Sequence, residues 1–150
     1  MDITANLHAE LAAPAIFEVV ADLGTYPRWL DIVSRAVVAE PDPGDPGPAW
    51  TIDLRGQLGP LRRSKRLRMV RSVTTAPSLV RFERRELDGR QHSDWLLEGA
   101  IDEVDSGDAA TLTMRLHYGG SLWVPLLDRV LREEIERSRP RLVAEAAARG

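Results

Sequence analysis

The amino-acid sequence predicts an α+β fold, with a curved antiparallel sheet of about six to seven strands wrapped around a long C-terminal helix. Three observations predict it. From Trp123 to Ala148 the apolar residues Leu126, Leu127, Val130, Leu131, Ile135, Leu142, Val143 and Ala146 recur at helical spacings, with Arg and Glu on the opposite face. The segments before this helix alternate apolar and polar residues with period two and are joined by short Gly, Pro and Asp turns. Two short helices follow directly on the first strand. The predicted order is β-α-α-β-β-β-β-β-β-α.

Each element has its own warrant. Residues 2–9 alternate Ile3, Ala5, Leu7 and Ala9, a first strand. Ala13-Pro14 opens a helix, because proline has no N–H to leave unpaired in the first turn. Ile16, Phe17, Val19, Val20 and Leu23 form its stripe, and Gly24 ends it. Thr25-Tyr26-Pro27 starts a second short helix holding Trp29, Leu30 and Ile32. The strands follow at 34–40, 50–56, 62–73, 79–86, 91–104 and 111–118. Between the first two of these, the loop from Pro41 to Pro48 carries four prolines and is expected to be mobile. Asp88-Gly89 signals a tight hairpin. Gly119-Gly120-Ser121 breaks the chain before the last helix, where Pro140 is expected to introduce a kink.

Length and composition bound the function. The 150 residues predict a single domain over 1–150, long enough for a full core. A net charge of −3 argues against general nucleic-acid binding. The absence of cysteine removes disulfides, thiolate chemistry and zinc–cysteine sites. No apolar run is long enough to span a bilayer, so stable membrane insertion is not expected. Met1-Asp2-Ile3 lacks the basic start and apolar run of a signal peptide, and a cytoplasmic location is expected. Lys65 is the one lysine beside 19 arginines, a skew that reflects a GC-rich bacterial genome rather than chemistry.

The stretch APAIFEVVADLGTYPRWLDIV (13–33) resembles the start of the START-like, or helix-grip (SRPBCC), superfamily. The Ala13-Pro14 helix start, Asp22 before a turn and the Tyr26-Pro27…Trp29 cluster carry the likeness. The strand order and the final amphipathic helix extend it over nearly the whole chain. The chain is most similar to the polyketide cyclase/dehydrase and lipid-transport-like branch. The resemblance implies the helix-grip fold and a cavity between sheet and C-terminal helix. It also implies that the cavity opens at the end of the sheet holding the turns at 56–61 and 87–90 and Gly119-Gly120.

Following the apolar parity toward that end brings Arg63, Lys65, Arg84, Glu86, Ser93 and Tyr118 to one rim, provided no bulge shifts the register. Inward charges at strand ends also simply reach out to water. The basic run Arg62, Arg63, Lys65, Arg66, Arg68 and Arg71 is split by a strand between two faces, where Glu83 and Glu86 can neutralise it. It lacks the interleaved aromatics that nucleic-acid stacking needs. His92 and Asp94 share a strand face directed outward, as does His117, and His8 is isolated. No spacing suggests a metal site, and no cofactor is expected.

The expected activity is binding of a hydrophobic small molecule such as a lipid, quinone or polyketide-like ring system. The expected ligand-binding residues on the sheet are Trp50, Leu54, Leu67, Met69, Phe82, Trp95, Leu97, Met114, Leu116 and Tyr118. Trp123, Leu127 and Leu131 are added by the last helix and its approach. A cyclase/aromatase-type enzyme is the alternative, with Arg63, Arg84 or Tyr118 polarising a carbonyl and Glu86 moving a proton. A third possibility is a protein-interaction domain with a solid interior.

Overall fold

Period-two alternation produces seven strands: β1 (Asp2–Ala9), β2 (Val33–Val38), β3 (Ala49–Leu58), β4 (Leu61–Thr75), β5 (Leu79–Arg84), β6 (Trp95–Val104) and β7 (Ala109–Tyr118). They form one antiparallel sheet in the order β1-β7-β6-β5-β4-β3-β2. Helix α1 (Ala13–Val20) and a 3₁₀ turn (Leu23–Arg28) link β1 to β2 across the sheet, and α2 (Val124–Arg149) closes the chain. This computed structural model describes residues 1–149, with all their side chains but those of Leu58, Leu61, Val130 and Leu131. The architecture is the predicted helix grip. Pro140 lies inside α2 without interrupting it.

The short helices are bound to each other by side chains that the local sequence supplies. Thr25 donates its hydroxyl to the Val19 and Asp22 carbonyls, and the Tyr26 hydroxyl donates to Val20 O at 2.8 Å. The Trp29 indole donates to Thr25 Oγ1. Arg71, from β4, donates to Ala21 O at the C-terminal end of α1, where a cation meets the negative end of the helix dipole.

Three expectations change. The parity of 62–73 puts Val73 on the face of Leu67 and Met69, but the register of β4 on β5 shifts between Arg71 and Val73, a bulge that pairs Val73 with Arg81 and takes it off that face. The shift lies beyond the predicted rim, so Arg63 and Lys65 keep the parity of Leu67. The strand predicted at 91–104 begins only at Trp95. His92 Nε2 instead closes on Asp88 Oδ2 at 2.8 Å, and residues 85–94 form a loop. His92 and Asp94 therefore share no strand face.

The loop from Pro41 to Pro48 is pinned rather than loose. Arg68 Nη2 meets Asp45 Oδ2 at 2.6 Å, with side chains only 10% and 5% exposed, and also donates to Glu40 O. The Arg68 guanidinium holds the Asp45 carboxyl below its usual range. Asp45→Ala leaves that cation covered without its counter-charge. It is expected to cost about 2 kcal/mol, below the usual range for a broken buried pair because the site lies near the outer surface. Urea denaturation measures this, and a loss under 0.5 kcal/mol (roughly the spread of ordinary surface substitutions) would show that the pair does not hold the loop.

Candidate functional site

Three surfaces enclose a cavity of about 160 Å³, far above the about 10–15 Å³ that one water requires. The sheet supplies rungs of inward residues in register: Leu97, Leu116 and Ile3 across β6, β7 and β1, then Met114 beside Ala5, then Leu112 beside Leu7. Ile52 and Leu54 on β3 face the cavity with Leu67 and Met69 on β4. The 3₁₀ turn and the approach to β2 add Leu23, Tyr26, Trp29, Leu30, Ile32 and Val33. Helix α2 lays Leu127, Ile135, Ser138, Arg139 and Leu142 along the open side of the sheet.

Of the residues expected to bind ligand, Leu54, Leu67, Met69, Trp95, Leu97, Met114, Leu116 and Leu127 line this space. Trp50 and Phe82 stand behind the lining. Their rings meet edge to face at 5.7 Å, Phe82 meets Tyr26 the same way at 6.3 Å, and Arg71 lies over Trp50. Tyr118 and Trp123 are buried beside Trp95, with ring centroids 4.6 and 6.1 Å from it. The side chain of Leu131 is outside the described residues. The expected set lacked β1, the 3₁₀ turn and the approach to β2, Ile52 of β3, Leu112 of β7, and Ser138 and Arg139 of α2. For α2 the signal was present: the stripe of Leu127 and Leu142 runs through positions 134, 135 and 138, so Glu134 and Ser138 occupy core-facing positions and both are buried.

The predicted rim sits elsewhere. None of Arg63, Lys65, Arg84, Glu86, Ser93 and Tyr118 lines the cavity. They gather at the end of the sheet, where aromatic packing and α2 fill the space. A Cβ at Gly56 would come 2.5 Å from Leu126 Cδ2, so the start of α2 presses directly on the end of β3. A side chain at Gly120 would run into Tyr118 Oη and Ser93 Oγ. Arg84 Nε meets Glu86 Oε1 at 3.1 Å, and Arg84 Nη1 donates to Ser93 O. The same Glu86 oxygen accepts the Arg68 N–H. Tyr118 Oη accepts the Trp123 N–H. Burial, then the neighbouring Arg84, lowers the Lys65 pKa, and Glu86 partly offsets this.

The basic run is split as expected but finds other partners. Arg66 pairs with Asp53 at 2.7 Å and Arg68 with Asp45, while Glu86 serves Arg84. His117 Nδ1 lies 2.9 Å from Asp2 Oδ1, and His8 Nδ1 lies 3.5 Å from Thr111 Oγ1. Both are on the convex face, away from the cavity. Among the described residues no group of His, Asp and Glu is arranged to hold a metal ion, and no helix is long and apolar enough to cross a membrane.

Polar groups in the lining are few. The Tyr26 hydroxyl is committed to Val20 O, its pKa raised by burial and by Asp22. Ser138 donates to Ile135 O, and Asn6 Oδ1 accepts from Thr113. Two buried nitrogens on lining residues, Trp95 Nε1 and Arg139 Nε, have no acceptor in the protein. The arrangement is an apolar container with two unspent donors.

Comparison with known proteins agrees with this geometry. A START superfamily protein from Mycobacterium smegmatis superimposes with a TM-score of 0.70 at 17% identity, over 99% of each chain. The di-domain ARO/CYC StfQ from the steffimycin biosynthetic pathway gives 0.67 at 17% identity, over 99% of this chain and 51% of that one. A protein from Thermus thermophilus gives 0.67 at 12% identity, over 100% of this chain and 99% of that one. These likenesses establish the fold. No curated protein matches the sequence. The sequence profile described as polyketide cyclase / dehydrase and lipid transport matches residues 10–143, nearly the whole chain, and the chain therefore belongs to that family.

Proposed function

We propose that this protein binds a hydrophobic small molecule, such as a lipid, quinone or polyketide-like ring system, between the sheet and α2. The observation that carries the reading is the cavity itself, about 160 Å³ and walled almost wholly by aliphatic and aromatic side chains. Burial of apolar ligand surface there contributes about 25 cal/mol per Å², less the cost of ordering. A protein-interaction domain with a solid interior fits less well, because close-packed cores leave few voids larger than a water. Among the described residues no Asp, Glu or His lines the cavity, which favours holding a ligand over moving its protons. Two of the candidates for cyclase-type chemistry, Arg84 and Glu86, are also committed to each other, and Glu86 to the Arg68 N–H as well.

Native mass spectrometry, with organic extraction of whatever copurifies, tests the reading. The expected result is a stoichiometric apolar passenger. Leu97→Trp, which adds bulk at the centre of the β6–β7–β1 rungs, should lower its occupancy about tenfold while the protein stays folded. A protein that carries nothing, and binds no quinone, fatty acid or polyketide mimic in titration, would overturn it.

A further inference from the structure

The two unspent donors restrict what the ligand can be. Trp95 is 4% exposed, and its indole N–H is buried without an acceptor. An unsatisfied buried donor is destabilising, and an acceptor brought by a ligand recovers that loss. Arg139 differs in kind. Its guanidinium is permanently charged. Its side chain is 39% exposed, yet Nε is buried and unpartnered, so the stem runs along the cavity wall with one end at solvent. Glu136 is 3.4 Å from Arg139 Nη1 but 71% exposed, so water screens its charge. No carboxylate among the described residues lines the cavity to neutralise the cation from inside. Among the other polar groups of the lining, Tyr26, Ser138 and the Trp29 indole donate to Val20 O, Ile135 O and Thr25 Oγ1, while Asn6 has the outward parity of β1 and accepts from Thr113 at the exposed face.

Resting on the reading above, we propose that the ligand is an amphipathic acid with an apolar body, an anionic oxygen held by Arg139 toward the solvent side, and a second acceptor oxygen held by the Trp95 indole in the depth. Both ends are charge or hydrogen-bond acceptors because both protein groups are donors only. A hydrocarbon leaves both donors unsatisfied, and a ligand whose trailing end is cationic meets the like charge of Arg139. The ligand therefore enters with its neutral oxygen leading and its acid trailing.

Three compounds on one ring skeleton separate the contributions. Anthraquinone-2-carboxylate carries both features, 2-methylanthraquinone lacks the acid, and anthracene-2-carboxylate lacks the carbonyls. Calorimetric titration of the full chain should find the first tightest. Loss of the acid should weaken binding about tenfold or more, and loss of the carbonyls about two- to tenfold. Arg139→Met keeps the stem and should erase the advantage of the acid, read as the ratio of the affinities for anthraquinone-2-carboxylate and 2-methylanthraquinone in the same variant. Trp95→Phe should shrink the advantage of the carbonyls, read as the ratio of the affinities for anthraquinone-2-carboxylate and anthracene-2-carboxylate in the same variant. Equal affinity for all three compounds overturns the acid assignment while leaving hydrophobic binding intact, as does a uniform loss in Arg139→Met. If none of the three binds, the cavity reading falls with it. The comparison between compounds needs only the unmodified protein, so it decides even if a variant fails to fold.

Discussion

Phe82→Ala should lower the free energy of unfolding by about 3–5 kcal/mol, the range for removing a buried phenylalanine ring. Phe82 is fully buried on β5, the middle strand of the seven, where no edge allows the backbone to relax. Its ring stands edge-on to both Trp50 and Tyr26, so truncation removes two aromatic contacts along with the buried surface. The vacated volume lies under Tyr26, and Tyr26 lines the cavity. Ligand affinity should therefore fall as well, although Phe82 itself stands behind the lining. Denaturant unfolding should show the midpoint falling at nearly constant m. Phe82→Leu should recover more than half of the loss. A cost below 1 kcal/mol for the alanine variant would mean that the aromatic layer between Trp50 and Tyr26 is not holding the sheet to the 3₁₀ turn.

Glu134→Gln should make the protein more stable at pH 8 and leave it little changed at pH 4. Glu134 is 5% exposed on the buried stripe of α2, and its Oε2 has no hydrogen-bond partner. Burial, with Asp31 nearby, raises its pKa from 4.5 to about 7; Arg137, the Ile32 N–H and Arg141 offset only part of this. Below pH 4.5 both the folded and unfolded chains hold the proton. Between 4.5 and about 7 the unfolded chain releases it while the folded chain keeps it, so unfolding becomes easier as pH rises. Above 7 the folded protein carries the full cost of a buried carboxylate, on the order of 3 kcal/mol. The glutamine variant lacks this loss, so its stability should be flatter across that window. Denaturation curves at pH 4, 6 and 8 check it, and parallel profiles for the two proteins would refute the assignment. The consequence reaches the site, because Glu134 packs at Ile32, a lining residue, and Arg141 reaches Asp31 at 2.6 Å beside it.

Much of the candidate site was legible because alternation is a local property. Leu54 on β3, Leu67 and Met69 on β4, Leu97 on β6 and Met114 and Leu116 on β7 share one face by parity, and that face is the concave one. Parity reports the face of a strand but not the depth along it. Trp50, Phe82 and Tyr118 have the correct face but do not reach the cavity: Phe82, although in register with Leu97, is packed against Tyr26 and Trp50, and Tyr118 packs against Trp95. The hairpin signal Asp88-Gly89 was correct as a turn and wrong as a tight one. Glu86 turns its carboxylate to Arg84 and to the Arg68 N–H, and the chain leaves the ladder until Trp95.

The sequence by itself determined the order of elements, the long closing helix and the apolar face of each strand, since these follow from periodicity within about ten residues. It also carried, unread, the polar interruption of the α2 stripe at Glu134 and Ser138. Only the tertiary structure decided where the helix crosses the sheet. Contact of Leu126 with Gly56 and the packing of Trp123 and Tyr118 around Trp95 close the end that the rim residues occupy. The same crossing brings Arg139, more than forty residues along the chain from Trp95, to the same cavity. Such a pairing depends on the path of a helix over a curved surface, and no local pattern encodes it.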